Sequence, residues 1–171
     1  MELSLGKVQV LIGMIASGKS TYAKNAAAAG AIVINDDALV KAIHADDYTL
    51  YSKQLKIIYK TTENHILGMA LAMGRIALID RGLNVSKRGR KRWISMAHSF
   101  DVPCEALVFV NEGPEVHAKR RAESGRGHPY EYWLRVAERH NSEWAYPTLD
   151  EGFDKIHVIT YDDVVAGKVV V

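Results

Sequence analysis

The run Val8-Gln9-Val10-Leu11-Ile12, followed at once by Gly13-Met14-Ile15-Ala16-Ser17-Gly18-Lys19-Ser20, leaves few folds open to this chain. The apolar stretch reads as a buried strand, and the eight residues after it fit the pattern G-x-x-x-x-G-K-[ST]. Glycines at both ends of such a loop let the backbone turn its N–H groups inward around a polyphosphate. Lys19 supplies a point charge for the β- and γ-phosphates, and Ser20 offers a hydroxyl to Mg²⁺. The chain then continues from Thr21 through Ala29 as a helix that ends at Gly30. Strand, loop and helix in this order point to a nucleoside triphosphate, contacted by Gly13, Ala16, Ser17, Gly18, Lys19, Ser20 and Thr21.

Further apolar runs at Ala31–Ile34, Ile76–Ile79, Ala106–Val110 and Ile156–Ile159 are separated by mostly helix-length segments. Val- and Ile-rich strands that do not alternate with polar residues belong to a parallel sheet covered on both faces, with ligands beyond the carboxyl ends of the strands. The expected class is therefore α/β. The longest helix is expected from about Ser52 to Met73, with Leu55, Ile58, Ile66, Met69 and Met73 on its apolar stripe and Tyr59 and Leu67 beside them. The 171 residues suit a single domain spanning 1–171. Hydrophobic content of 48% and charged content of 25% are globular values. Nothing approaches the roughly eighteen apolar residues of a membrane span, so no membrane is expected as a partner. The first strand begins too early for a signal peptide to precede it, and Cys104, opening an apolar run, reads as a buried or half-buried thiol. Both fit a cytoplasmic location. A net charge of +2 is too small to argue for nucleic acid by itself, and no feature points to a protein partner.

The chemistry-bearing residues lie where strands end. Ile34-Asn35-Asp36-Asp37 puts two acids after the second strand. A carboxylate there can accept the proton of an attacking hydroxyl, and the other acid is expected to cap the next helix, Ala38–His44, where the helix dipole favours it. Asp36, first out of the strand, is assigned the catalytic role and Asp37 the helix's first turn. The third strand ends in Asp80, a position from which an acid meets Mg²⁺ or substrate, and Arg81 and Asn84 follow at the same edge. Five cations then fall within Ser86–Arg92. These fit a solvated helix face, with Trp93, Ile94 and Ala97 turned inward, slightly better than a track for nucleic-acid phosphates. Lys119-Arg120-Arg121 and Gly125-Arg126-Gly127 join two helices, the second beginning near Pro129. This segment, approximately 119–130, reads as a small lid whose closure brings Arg126 and one of Arg120 or Arg121 onto the transferring phosphoryl group. The histidines at 44, 65, 98 and 117 show no metal-ligand spacing, and no zinc is assigned.

Taken in order, Gly13–Ser20, Asn35-Asp36-Asp37, Asp80-Arg81-Gly82-Leu83-Asn84 with the basic helix after it, and Arg120/Arg121 with Arg126-Gly127 resemble the P-loop kinases related to bacteriophage-type polynucleotide kinase. The resemblance implies a three-layer P-loop NTPase fold with a five-stranded parallel sheet similar to adenylate kinase and a small helical lid. It implies ATP and Mg²⁺ as cofactors and a hydroxyl acceptor on nucleic acid or a nucleoside, most simply the 5′-hydroxyl of a polynucleotide. Asp36 then corresponds to the catalytic base and Asp80 and Asn84 to the ends of a substrate-side motif. Arg126 corresponds to the lid arginine. Two arginines common in the polynucleotide enzymes are replaced here by Asn35 and Leu39, and no accompanying phosphatase segment is present in the 171 residues. A nucleoside, nucleotide, other small molecule or hydroxymethylated base in DNA is the alternative acceptor; a nucleotide-dependent switch without transfer is the reading from another class.

Overall fold

A computed structural model describes residues 6–125 and 127–170. Five parallel strands form one sheet: β1 (Lys7–Ile12), β2 (Ile32–Ile34), β3 (Ile76–Asp80), β4 (Cys104–Phe109) and β5 (Lys155–Ile159), in the spatial order β2-β3-β1-β4-β5. Parallel neighbours require crossovers, and the helices supply them: α1 (Lys19–Ala28), α2 (Asp36–Ile43), α3 (Lys56–Ala72), α4 (Lys87–Ser99), α5 (Pro114–Glu123), α6 (Tyr130–Ser142) and the short α7 (Tyr161–Val165).

The period-two alternation of strand side chains sends the two faces to different helices. Val8, Val10 and Ile12 of β1, with Ala77, Ile79, Ala106 and Val108, pack against Leu67, Ala70 and Leu71 of α3 and Trp93, Ile94 and Ala97 of α4. Leu11, Leu78, Leu107, Phe109 and Ile159 face the other way, onto Tyr22, Ala23 and Ala26 of α1 and Val164 of α7. The result is the three-layer P-loop fold that the sequence leads one to expect. Cys104 is fully buried, and burial pushes its thiol up to about 12, which makes it a packing residue and not a nucleophile.

Helix α3 corrects one expectation. Its inward stripe is Tyr59, Glu63, Leu67, Ala70 and Leu71, while Ile58 and Met69 lie largely exposed and Met73 is 67% exposed. An acid inside the stripe displaces the apolar pattern read from the sequence by about one position. Glu63 is buried because Arg92 of α4 reaches it, with Nη1 2.7 Å from Oε2.

Candidate functional site

Three strand ends converge on one edge. The register pairs Leu11 with Asp80 and Ile34 with Ile79, so the loop after β1, the Asn35-Asp36-Asp37 turn after β2 and the Asp80-Arg81 end of β3 lie side by side. The β1 loop keeps a tight curl. A Cβ at Gly13 would stand 2.5 Å from Ser17 Oγ and 2.9 Å from Phe109 Cβ, so only glycine fits. Gly18 at φ 98 and Ala16 at φ 51 both adopt left-handed backbone, which costs Ala16 energy and turns successive N–H groups toward one point. The Ser17 hydroxyl is buried with no hydrogen-bond partner among the described residues. Such a concave, donor-lined loop at the start of α1 fits a polyphosphate.

Lys19 donates to the carbonyls of Gly13 and Met14, both at 2.6 Å, and so spans the mouth of the loop. Burial lowers its pKa to about 8; Asp80 opposes that shift and Arg121 adds to it. Asp80 is itself buried, and desolvation raises its carboxyl while Lys19 and Asn35 act in the opposite direction. Ser20, exposed on α1, and Asp80 are hard oxygen donors of the kind Mg²⁺ takes beside phosphates. Thr21 is likewise exposed on the first turn of α1.

Neither acid is the helix cap of α2. Asn35 holds that position: its Oδ1 accepts the Ala38 N–H at 2.8 Å, while its Nδ2 donates to Asp80 O at 3.0 Å and to Asp80 Oδ2 at 3.1 Å. Asp36 and Asp37 both fall in the first turn, where the dipole favours them. The reading that one of them caps is thus corrected, because an uncharged amide can cap and hold Asp80 simultaneously. Asp36 Oδ2 accepts from Arg81 Nε at 2.8 Å. Asn84 is drawn inward between the strands. It is 0% exposed, and its amide nitrogen donates to Leu11 O at 3.1 Å and Ile79 O at 3.2 Å, which ties the turn after β3 to the ends of β1 and β3. Its place in the molecule is that of a brace.

The basic helix α4 is capped by Ser86, whose Oγ accepts the Gly89 N–H. Its cations do not form one face. Arg90 is 0% exposed, forked onto Glu151 at 2.6 and 2.7 Å and onto the Asn84 and Val85 carbonyls. Arg92 turns to Glu63, Asn64 and the Lys60 carbonyl, and lies 4.3 Å over the Trp93 ring. Only Lys87, Arg88 and Lys91 of the five stay exposed.

A family model described as an AAA domain matches residues 8–142, more than half of the chain. The chain belongs to the AAA-domain family. No curated protein matches it. Among solved structures, the Pnkp1/Rnl/Hen1 RNA repair complex contains a chain similar at a TM-score of 0.62 and 19% identity, over 83% of this chain and 47% of that one. This chain therefore spans about half of that relative. A kinase by provisional assignment from Chloroflexus aurantiacus J-10-fl is similar at 0.65 and 14%, over 98% and 90%. Kti12 from Chaetomium thermophilum, in complex with ADP-AlF3, is similar at 0.57 and 19%, over 94% and 92%. At these identities the likeness is one of fold, the P-loop kinase-like fold, in which nucleotide binding is expected.

In this AAA-domain protein the helices α5 and α6 sit directly on the phosphate loop. Met14 and Ile15 of the loop pack with Ala118 of α5 and Ala137 of α6. That contact brings basic side chains to the loop: Arg121 acts electrostatically on Lys19, and Lys19 in turn disfavours the charged forms of His117 and His140. Arg120 pairs with Glu112 and lies 4.2 Å over the ring of Tyr161, the first residue of α7. Tyr161 was not legible as a site residue, since a lone tyrosine after β5 carries no motif. Gly125 and Gly127 both stand at positive φ in open space between the two helices. Arg126, expected as the lid arginine, lies outside the described residues. His128 stacks on Tyr132 with ring centroids 4.1 Å apart.

Proposed function

We propose that this protein is a kinase that passes the γ-phosphoryl group of ATP to a hydroxyl, the 5′-hydroxyl of a polynucleotide being the acceptor its sequence order favours. The observation that carries the reading is the arrangement of two acids on adjacent strand ends, with Asp36 held by Arg81 and Asp80 held by Asn35, beside the Lys19 loop. A switch needs the loop but has no use for an oriented carboxylate on the acceptor side.

In this reading the N–H groups of Gly13–Ser20 cradle the phosphates and Lys19 leaves the Gly13 and Met14 carbonyls for the β- and γ-phosphates. Ser20 and Asp80 would hold a Mg²⁺ ion, which when bound would neutralise phosphate charge. Asp36 takes the proton of the acceptor hydroxyl as oxygen attacks phosphorus, with Arg81 fixing the carboxylate's orientation; ADP leaves. Arg121 and Arg126 close over the phosphoryl group. Arg120, stacked on Tyr161 and paired with Glu112, contributes to the nucleotide side of the site from α5. Asn84 acts by holding the turn that carries Arg81.

A monomeric acceptor is the second reading, and the inward turn of Arg90 and Arg92 favours it, because the cationic track after Arg81 shrinks to Lys87, Arg88 and Lys91. The test uses γ-labelled ATP and Mg²⁺ with 5′-hydroxyl oligonucleotides, hydroxymethylated duplex DNA, nucleosides, nucleotides and sugars. Label on an oligonucleotide end supports the first acceptor and label on a monomer the second. In either case Asp36→Asn lowers turnover by about 10²- to 10⁴-fold while ATP still binds. Undiminished turnover in that variant sinks the assignment of the base.

A further inference from the structure

Beyond the acceptor acids stands a stack of aromatic rings that the transfer chemistry does not require. Tyr59 of α3 is buried at 5% exposure and anchored, with its hydroxyl 2.8 Å from His44 Nε2 and accepting the Ser52 N–H at 3.4 Å. Tyr51 stacks on Tyr59 with centroids 5.6 Å apart and planes 23° from parallel. Tyr48 stacks on Tyr51 at 6.2 Å and 10°. The ladder thus runs outward from the core to Tyr48, which is 44% exposed.

Its outer end is placed against the site. After α2 the chain doubles back through Ala45 and Asp46, two successive non-glycine residues at φ 51 and 70. Strained backbone at this turn brings Tyr48 back against α2, on which its short turn packs, and the carboxylates of Asp37 and Asp36 in the first turn of that helix act on its hydroxyl. An exposed ring held parallel by two others behind it has lost its rotational freedom before any ligand arrives, so stacking on it costs little further ordering. The two carboxylates next to it disfavour a phosphate there and suit an end that carries a free hydroxyl.

We infer that Tyr48, at the outer end of the Tyr59–Tyr51–Tyr48 stack, is the platform for a nucleobase whose own sugar hydroxyl is the acceptor at Asp36. The inference rests on the kinase reading above and narrows its acceptor to a nucleobase-bearing one, whether free nucleoside or the terminal residue of a strand. Every base offers a π-face, so the platform selects for a planar ring and not for sequence.

The probe is 2-aminopurine, whose fluorescence is quenched on stacking, as the free riboside and as the 5′-terminal residue of a short 5′-hydroxyl oligonucleotide. The wild-type protein is expected to quench it. Tyr48→Leu is expected to weaken binding by roughly 5- to 100-fold, Tyr48→Trp to retain it, and ATP binding to stay unchanged in both, which shows that each variant is folded. Tighter binding of the oligonucleotide than of the riboside assigns the base to a strand end; equal binding assigns it to a nucleoside. Equal quenching and affinity in wild type and Tyr48→Leu overturns the platform, as does transfer to non-aromatic alcohols without quenching. Quenching that depends on Tyr48 in a protein that labels no acceptor keeps the platform and refutes the kinase.

Discussion

Lys19 is the residue on which charge and burial most directly oppose each other. A lysine whose amine already binds two carbonyls at 2.6 Å and whose pKa is lowered to about 8 by burial is poised to exchange those carbonyls for phosphate oxygens. Phosphate charge favours the protonated amine, so binding raises the pKa from that value. Below about pH 8 the amine is already charged and binding changes nothing; above it, binding takes up a proton. ATP affinity is therefore expected to fall as pH rises beyond about 8, by at most about tenfold per unit. Calorimetry at pH 9 in two buffers of different ionisation enthalpy measures the uptake directly. A value near one proton per site is expected, and a value of zero means that Lys19 is not the group that meets the phosphates. Asn35 makes the complementary point at the same scale. The arginine common at its position in the polynucleotide enzymes could not both cap α2 and hold Asp80, since it has donors only; an amide has a donor and an acceptor.

Between helices, the pair that decides stability is Arg92–Glu63. Glu63 is 2% exposed in the middle of the α3 stripe, and Arg92 is the cation that joins it to α4. Arg92→Ala leaves a buried carboxylate without its partner and is expected to cost about 3 kcal/mol in urea unfolding, whereas Arg92→Leu combined with Glu63→Leu recovers most of that loss. A single variant that unfolds like the wild type would show that water compensates Glu63. This pair also marks where the sequence stopped being legible. The loop at Gly13–Ser20, the five strands and the order of the acids were readable because each rests on local pattern, a glycine spacing or a run of Val and Ile. Burial of Glu63 and Arg90 was not, because each charge is satisfied by a residue 29 or 61 positions away, and a reading by charge alone assigns both to solvent. The burial of Asn84 was hidden for the same reason: its partners are the carbonyls of Leu11 and Ile79, on two different strands. Tyr161 and the tyrosine ladder escaped because stacking leaves no trace in spacing.

Across the whole molecule, the helical pair over the phosphate loop couples the site to pH. His117 is fully buried on α5 and takes the Glu112 N–H on its Nε2 at 3.2 Å, an arrangement open only to the neutral ring. Burial, and then the nearby Arg120, lower its pKa from 6.5 to about 4; His140 on α6 is shifted in the same direction by burial and by Lys19. Between these two values the unfolded chain binds a proton that the folded chain refuses. The stabilisation is fully present above pH 6.5 and is lost progressively as pH falls toward 4. Because α5 and α6 pack on Met14 and Ile15, the element that loosens is the one that covers the nucleotide loop. The melting temperature is therefore expected to fall from pH 6.5 downward, above the range in which Glu105, Glu112 and Glu151, whose pKa values are lowered, begin to protonate. His117→Gln keeps an acceptor for the Glu112 N–H without a titrating ring, and its melting curve is expected to be flatter over pH 6.5 to 4.5. Parallel profiles for wild type and variant would place the acid sensitivity elsewhere than His117. A bound nucleotide adds negative charge at the Lys19 loop and so favours the protonated forms of His140 and His117, from which it follows that ATP should protect the fold most at the acid end of that range.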